Sequence, residues 1–124
     1  MSQPESPMPH AWRVHAQDSD FHSPEPGLQR RILVHNENMM LVEHRMEPDW
    51  KGARHAHPQE QLVYVIAGRL RFTCGEESVE IGPGDSLIVP GNIEHEAAAL
   101  GQPCTVLDVF TPTRPDYVPR PRDK

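Results

Sequence analysis

The sequence has little cysteine, no long apolar run and no basic cluster, and each shortage removes a class of protein. Its two cysteines, Cys74 and Cys104, have 29 residues between them and form no CxxC pair, which leaves no zinc knuckle and no dithiol redox motif. Isolated cysteines of this kind are expected as small core residues and not as a disulfide. No stretch approaches the ~18 consecutive apolar residues of a membrane helix. The polar start MSQPESPMPH lacks the apolar centre of a secretory signal, so cytoplasm is the expectation. A formal net charge of -6 over 124 residues gives phosphate no basic surface to meet, and the short Arg120, Arg122 and Lys124 tail does not reverse this. Nucleic acid and membrane are therefore not expected partners. Nor does any apolar repeat of helical period run longer than two turns, so nothing resembles a DNA-reading helix.

What remains is a chain long enough for one domain and too short for two. The hydrophobic fraction is 36%, and nine of the 14 prolines crowd the two ends, five in the first 27 residues and four from Pro112 on. Between them lie short β-type runs: Arg31 to His35, Met39 to Glu47, Gln61 to Ala67, Leu70 to Cys74, Ser78 to Ile81, Ser86 to Val89, His95 to Ala99 and Cys104 to Thr111. Asn36-Glu37-Asn38, Gly75-Glu76-Glu77 and Gly82-Pro83-Gly84-Asp85 supply turn chemistry between them. This predicts an all-β sandwich or jelly roll, whose interior holds a ligand where a few inward positions are polar. Residues 28–114 are expected to form the barrel and 115–124 a tail. The Pro-rich segment 1–27 is expected either to be disordered or to lie as an extra strand across a neighbouring subunit.

His55 and His57 are two residues apart, so on an extended segment both imidazoles point to one face. Gln61 follows across Pro58 at the start of the most apolar strand, where its side chain falls on the face of Val63 and Val65, and its amide oxygen is a third candidate donor. Pro90-Gly91-Asn92-Ile93-Glu94-His95 brings a fourth in His95. Glu60, one residue away, belongs to the opposite strand face and is expected outside the ligand set. His10, His15, His22, His35 and His44 are expected to be surface or interfacial histidines.

The two segments together resemble the paired motifs of the cupin superfamily, HxHxxxE or HxHxxxQ in the first and GxxxxxPxGxxH in the second. Here they run from His55 to Gln61, with Gly68 after, and from Gly84 to His95. Asn92 stands behind Gly91 where the motif has its glycine, and asparagine also tolerates the left-handed backbone such a turn needs. The resemblance implies a jelly-roll β-barrel of the cupin type holding one divalent ion on His55, His57, Gln61 and His95. Three imidazoles and an amide are a neutral set, suited to a Lewis acid, and nickel, zinc, manganese, iron and cobalt all remain open.

Near the end, Cys104-Thr105-Val106-Leu107-Asp108-Val109-Phe110-Thr111 is an apolar strand with an acid embedded in it. By alternation Asp108 shares a face with Val106 and Phe110. A carboxylate inside an apolar barrel costs several kcal/mol unless paired. Two readings stand: Asp108 pairs with Arg114 or another arginine and fastens the strand, or it is an acid/base group facing the metal. In the second reading Phe110 is an apolar wall and Arg114 a clamp for a substrate carboxylate.

The stretch from Arg30 to Tyr117, about seven tenths of the chain, is similar to the small cupins of the pectin-degradation family, on Arg31-Ile32-Leu33, Asn38 to Glu43, the HxHPxEQ segment, Tyr64-Val65, Pro83 to Ser86 and Asp108 to Arg114. One departure is Gln59, where that family has histidine. The resemblance implies that Asp108, Phe110 and Arg114 surround the substrate beside the metal. It further implies conversion of 4,5-unsaturated uronates to linear keto sugars by ring opening and tautomerisation. An Fe(II) dioxygenase and a non-catalytic small-molecule-binding domain are the alternatives. A homodimer is expected, since two-fold dimers are the commonest assembly.

Overall fold

Alternation of inward apolar and outward residues is strongest near Gln61 and Val106, and both segments become central strands in the computed structural model of the chain, which describes residues 10–118. Nine strands follow a short 3-10 turn at Ala16–Asp18: β1 (His22–Glu25), β2 (Leu28–His35), β3 (Met40–Met46), β4 (Glu60–Ala67), β5 (Leu70–Cys74), β6 (Glu77–Ile81), β7 (Ser86–Val89), β8 (His95–Ala99) and β9 (Cys104–Thr111). They form a six-stranded antiparallel sheet in the order β1-β2-β3-β9-β4-β7 and a three-stranded one in the order β6-β5-β8. The architecture is the all-β jelly roll that the sequence implies. It is an open one, since among the described residues no continuous ladder joins the two sheets. Isolated bridges, Lys51 to Ala98 and His55 to His95, tie the link between β3 and β4 to the small sheet.

β1 is an addition to the strands read from sequence. It pairs antiparallel with β2 of the same chain through a turn at Gly27, whose φ is +82°. Phe21, just ahead of it, lies under two guanidinium groups, 4.7 Å from that of Arg31 and 4.4 Å from that of Arg45. Those two arginines also grip Glu43, at 2.8 and 3.1 Å, so the outer face of β2 and β3 is tied by charge. Residues 1–9 of the Pro-rich head and 119–124 of the tail lie outside the described residues.

Two apolar clusters fill the interior. One gathers Val63, Val65, Leu70, Phe72, Val89 and Val106 with their neighbours, and the other Met40, Val42 and Phe110. Cys104 belongs to the first and Cys74 packs against it, both as free thiols. The polar residues sit at the steps between the clusters. On β3 His44 is flanked inward by Val42 and Met46, and on β9 Asp108 by Val106 and Phe110. Each apolar side chain so buried contributes ~1.5–3 kcal/mol, which offsets the cost of holding a polar layer in the middle of the sandwich.

Candidate metal centre and the cavity around it

The link before β4 and the start of β8 meet at one point. The amide of Asn92 donates to the carbonyl of His57 at 2.7 Å. Asn92 has φ +66°, the left-handed turn anticipated for this residue. Gly91 passes so near that a Cβ there would lie 2.3 Å from the Pro58 carbonyl oxygen. Only a residue without a side chain allows the approach. It brings the rings of His55 and His95 to 4.4 Å and those of His57 and His95 to 4.8 Å between centroids.

The donor atoms of His55, His57 and His95 lie within 4.8 Å of one another. In each ring Nδ1 faces a backbone carbonyl: Ala53 at 2.9 Å for His55, Gln59 at 3.0 Å for His57 and Ile93 at 2.9 Å for His95. A carbonyl only accepts, so each Nδ1 carries the proton and each Nε2 keeps a lone pair. Burial, with the charge of Arg114 behind it, holds the His57 imidazole below its ordinary pKa, and burial does the same for His95. Both therefore favour the neutral, ligating form.

Gln61 points inward with Val63 and Val65, while Glu60 is exposed. Its Oε1 stands 3.2 Å from His57 Nε2. Two acceptors facing each other at that distance are reconciled by a shared cation. His95 Nε2 is buried with no hydrogen-bond partner among the described residues, where a buried polar atom is normally satisfied. Three converging imidazole lone pairs and an amide oxygen thus fit one divalent ion.

Asp108 is 3% exposed and does not pair with Arg114. Its Oδ2 lies 2.6 Å from Nδ1 of His44, and its Oδ1 accepts from Nε2 of Gln61 at 2.8 Å. His44 is the correction here. Expected at the surface, it is 7% exposed and faces the cavity, because it stands on β3 in alternation with Val42 and Met46. Arg30 donates from Nε to His44 Nε2 at 2.9 Å and from Nη2 to the Tyr117 hydroxyl at 3.0 Å. Arg114 donates to the same hydroxyl at 2.9 Å, and both guanidinium groups lie over the Tyr117 ring, 3.9 and 4.0 Å from its centroid. Burial pushes the Tyr117 phenol above its usual pKa, so it stays protonated. The remaining edge of Arg114 is held by Asp116, through Nη2 at 2.8 Å and Nε at 3.3 Å.

A cavity of about 330 Å³ opens onto this cluster, with His55, Gln61, His95, Asp108, Phe110 and Arg114 in its wall. That is the low end of small-molecule pocket size. His57 stands behind this wall, edge-on to Phe110 with ring centroids 5.6 Å apart. Arg30, His44 and Tyr117 also line the cavity, and none of them was singled out from sequence.

Two facing antiparallel sheets, with an HxHxxxQ segment and a histidine from a second motif meeting between them, define a cupin. The family model described as "Cupin domain" matches residues 42–110, over half of the chain, and the chain belongs to that family. Among individual proteins it is similar to the pectin degradation protein KdgF of Dickeya dadantii, 26% identical over 93 residues, which cover 74% of this chain and 84% of that one. The solved structure of KdgF from Halomonas sp. superposes with a TM-score of 0.80 at 29% identity, covering 89% of this chain and 100% of that one. An RmlC-like cupin from Shewanella frigidimarina gives a TM-score of 0.81 at 26% identity, over 88% of this chain and 97% of that one. Among the described residues no helix is long and apolar enough to cross a membrane.

Proposed function

We propose that this cupin is a metal-dependent isomerase of sugar acids that converts 4,5-unsaturated uronates, from pectin or alginate breakdown, to linear keto sugars. The observation that carries the reading is one of position: Asp108, Phe110 and Arg114 line the same cavity as His55, Gln61 and His95. The likeness to two KdgF proteins, one of them described by its role in pectin degradation, supports it.

A divalent ion held by His55, His57, Gln61 and His95 supplies Lewis acidity toward a substrate oxygen when bound. The chain's own residues do the rest. Ring opening removes a proton from the hemiacetal hydroxyl as the ring C–O bond breaks, giving an aldehyde and an enol. Tautomerisation then moves the enol proton to the neighbouring carbon. No proton is gained or lost overall, so one carboxylate that takes up and returns a proton suffices, and Asp108 is the acid in the cavity wall. Arg114 receives the sugar carboxylate by exchanging it for Asp116. Asp116 is 59% exposed at its side chain against 13% for Arg114, so the displaced carboxylate passes into water while the guanidinium stays in place. Phe110, 1% exposed, keeps water from the reacting face.

The test is incubation of the purified protein with unsaturated uronate from a lyase digest, following loss of the enol absorbance with an oxygen electrode in the same cell. Loss of absorbance without oxygen uptake supports the reading. Oxygen uptake points to a dioxygenase, and no change beyond the spontaneous rate points to a binding domain. With this reading goes a homodimer formed on the outer face of the large sheet. There Leu62 and Ile88 are cross-strand partners, and with Tyr64 and Ile66 they leave an apolar patch about half exposed.

A further inference from the structure

We propose that Arg30 and His44 are positioning residues for a metal ligand: the chain Arg30, His44, Asp108, Gln61 sets, by the direction of its hydrogen bonds, which end of the Gln61 amide faces the imidazole cluster. The inference rests on the metal-binding reading above and adds residues that neither the motifs nor the strand pattern nominated.

The direction is fixed at one end. A guanidinium only donates, so His44 Nε2, 2.9 Å from Arg30 Nε, must accept. The ring proton is then on Nδ1, which donates to Asp108 Oδ2 at 2.6 Å. A carboxylate only accepts, so Asp108 Oδ1 takes the nitrogen end of the Gln61 amide at 2.8 Å. The oxygen end is thereby turned to His57 Nε2, 3.2 Å away. Reversing any of the three links from Arg30 to Gln61 sets two donors or two acceptors face to face.

The need for such a device follows from the amide itself. Its two ends are nearly the same size, but only the oxygen is a useful ligand for a divalent ion. An unconstrained glutamine spends part of its time turned the wrong way. His44, Asp108 and Gln61 are each buried, at 7%, 3% and 7% exposure, so each link is made between protein groups. Arg30 is itself pinned by the Tyr117 hydroxyl and ring, which keeps it from swinging onto Asp108.

The experiment uses full-length protein stripped of metal and titrated with cobalt(II), read both as affinity and as the visible ligand-field spectrum. His44→Leu is expected to lower cobalt affinity by about 10- to 100-fold, the usual cost of losing a group that orients a ligand, and to alter the spectrum as the amide oxygen leaves. His44→Asn, whose amide N–H takes the place of Nδ1–H, is expected to restore most of both. In a Gln61→Ala background His44→Leu should cost nothing further, because the effect travels through Gln61. If His44→Leu does not fold, Arg30→Met carries the test with the same sign. Wild-type protein that binds no cobalt overturns the metal reading and this inference with it. Wild-type binding with a folded His44→Leu of unchanged affinity and spectrum overturns this inference alone, as does an equal loss in the Gln61→Ala background.

Discussion

Gln61 donates its amide nitrogen to Oδ1 of Asp108 at 2.8 Å, so the acid that lines the cavity also holds a candidate metal ligand. With His44 on Oδ2, both oxygens of Asp108 have a buried donor. Asp108→Asn supplies only one acceptor for the two, and one donor is left facing an N–H. We expect this variant to stay folded, to need more metal for saturation and, once saturated, to turn over unsaturated uronate ~10²–10⁴-fold more slowly, the range for loss of a general acid/base. A role confined to fastening the strand predicts the reverse pattern: a stability loss of ~3–5 kcal/mol with a normal rate per bound metal. Melting temperature, metal content and turnover on one preparation separate the two.

His55→Ala combined with His57→Ala removes two of three imidazoles. Protein purified without chelator is expected to carry close to one divalent ion per chain, and the double variant none, as read by elemental analysis. Metal retained by the double variant would place the centre elsewhere.

Gln61→Ala is expected to weaken metal binding, and Glu60→Ala to leave it unchanged, because Glu60 is exposed and Gln61 buried on the cavity side of β4. A chelator competition titration of both variants decides it. Loss of metal from Glu60→Ala alone contradicts the ligand set.

Arg114→Lys keeps the positive charge but loses the planar pair of donors that a carboxylate meets. The expected result is a KM that rises more than kcat falls. Equal effects on both, or none, would remove Arg114 from substrate binding.

Leu62→Glu with Ile88→Glu puts like charges on cross-strand partners of the outer face. Sedimentation is expected to show a dimer for the wild type and a monomer for the double variant. A wild-type monomer at all concentrations contradicts the dimer.

Most strands are legible because they are short apolar runs between turn residues, and along β4 and β9 the burial alternates. Asp108 stood out for the same reason. β1 did not, since an edge strand of His, Ser, Pro and Glu has no apolar face of its own. It exists through its pairing with β2, and Pro24 is tolerated because an edge strand needs no second ladder.

The misses in the site have similar causes. His44 by type alone reads as a surface histidine, although its alternation with Val42 and Met46 marks the buried face. Arg30 falls outside a strand read from Arg31. It starts at Leu28, and Leu28, Arg30 and Ile32 then share a face. Tyr117 follows the last strand in a turn closed by its own amide to the Arg114 carbonyl. Nothing periodic in the sequence points to it, and its place between two arginines is a tertiary result.

The most direct test of the account is to strip the protein of metal, confirm by elemental analysis that none remains, and titrate metal back while following unsaturated uronate turnover. The account predicts that the stripped protein does no better than the spontaneous reaction and that the rate rises with added metal to a plateau at one ion per chain. Full turnover by verified metal-free protein would contradict it.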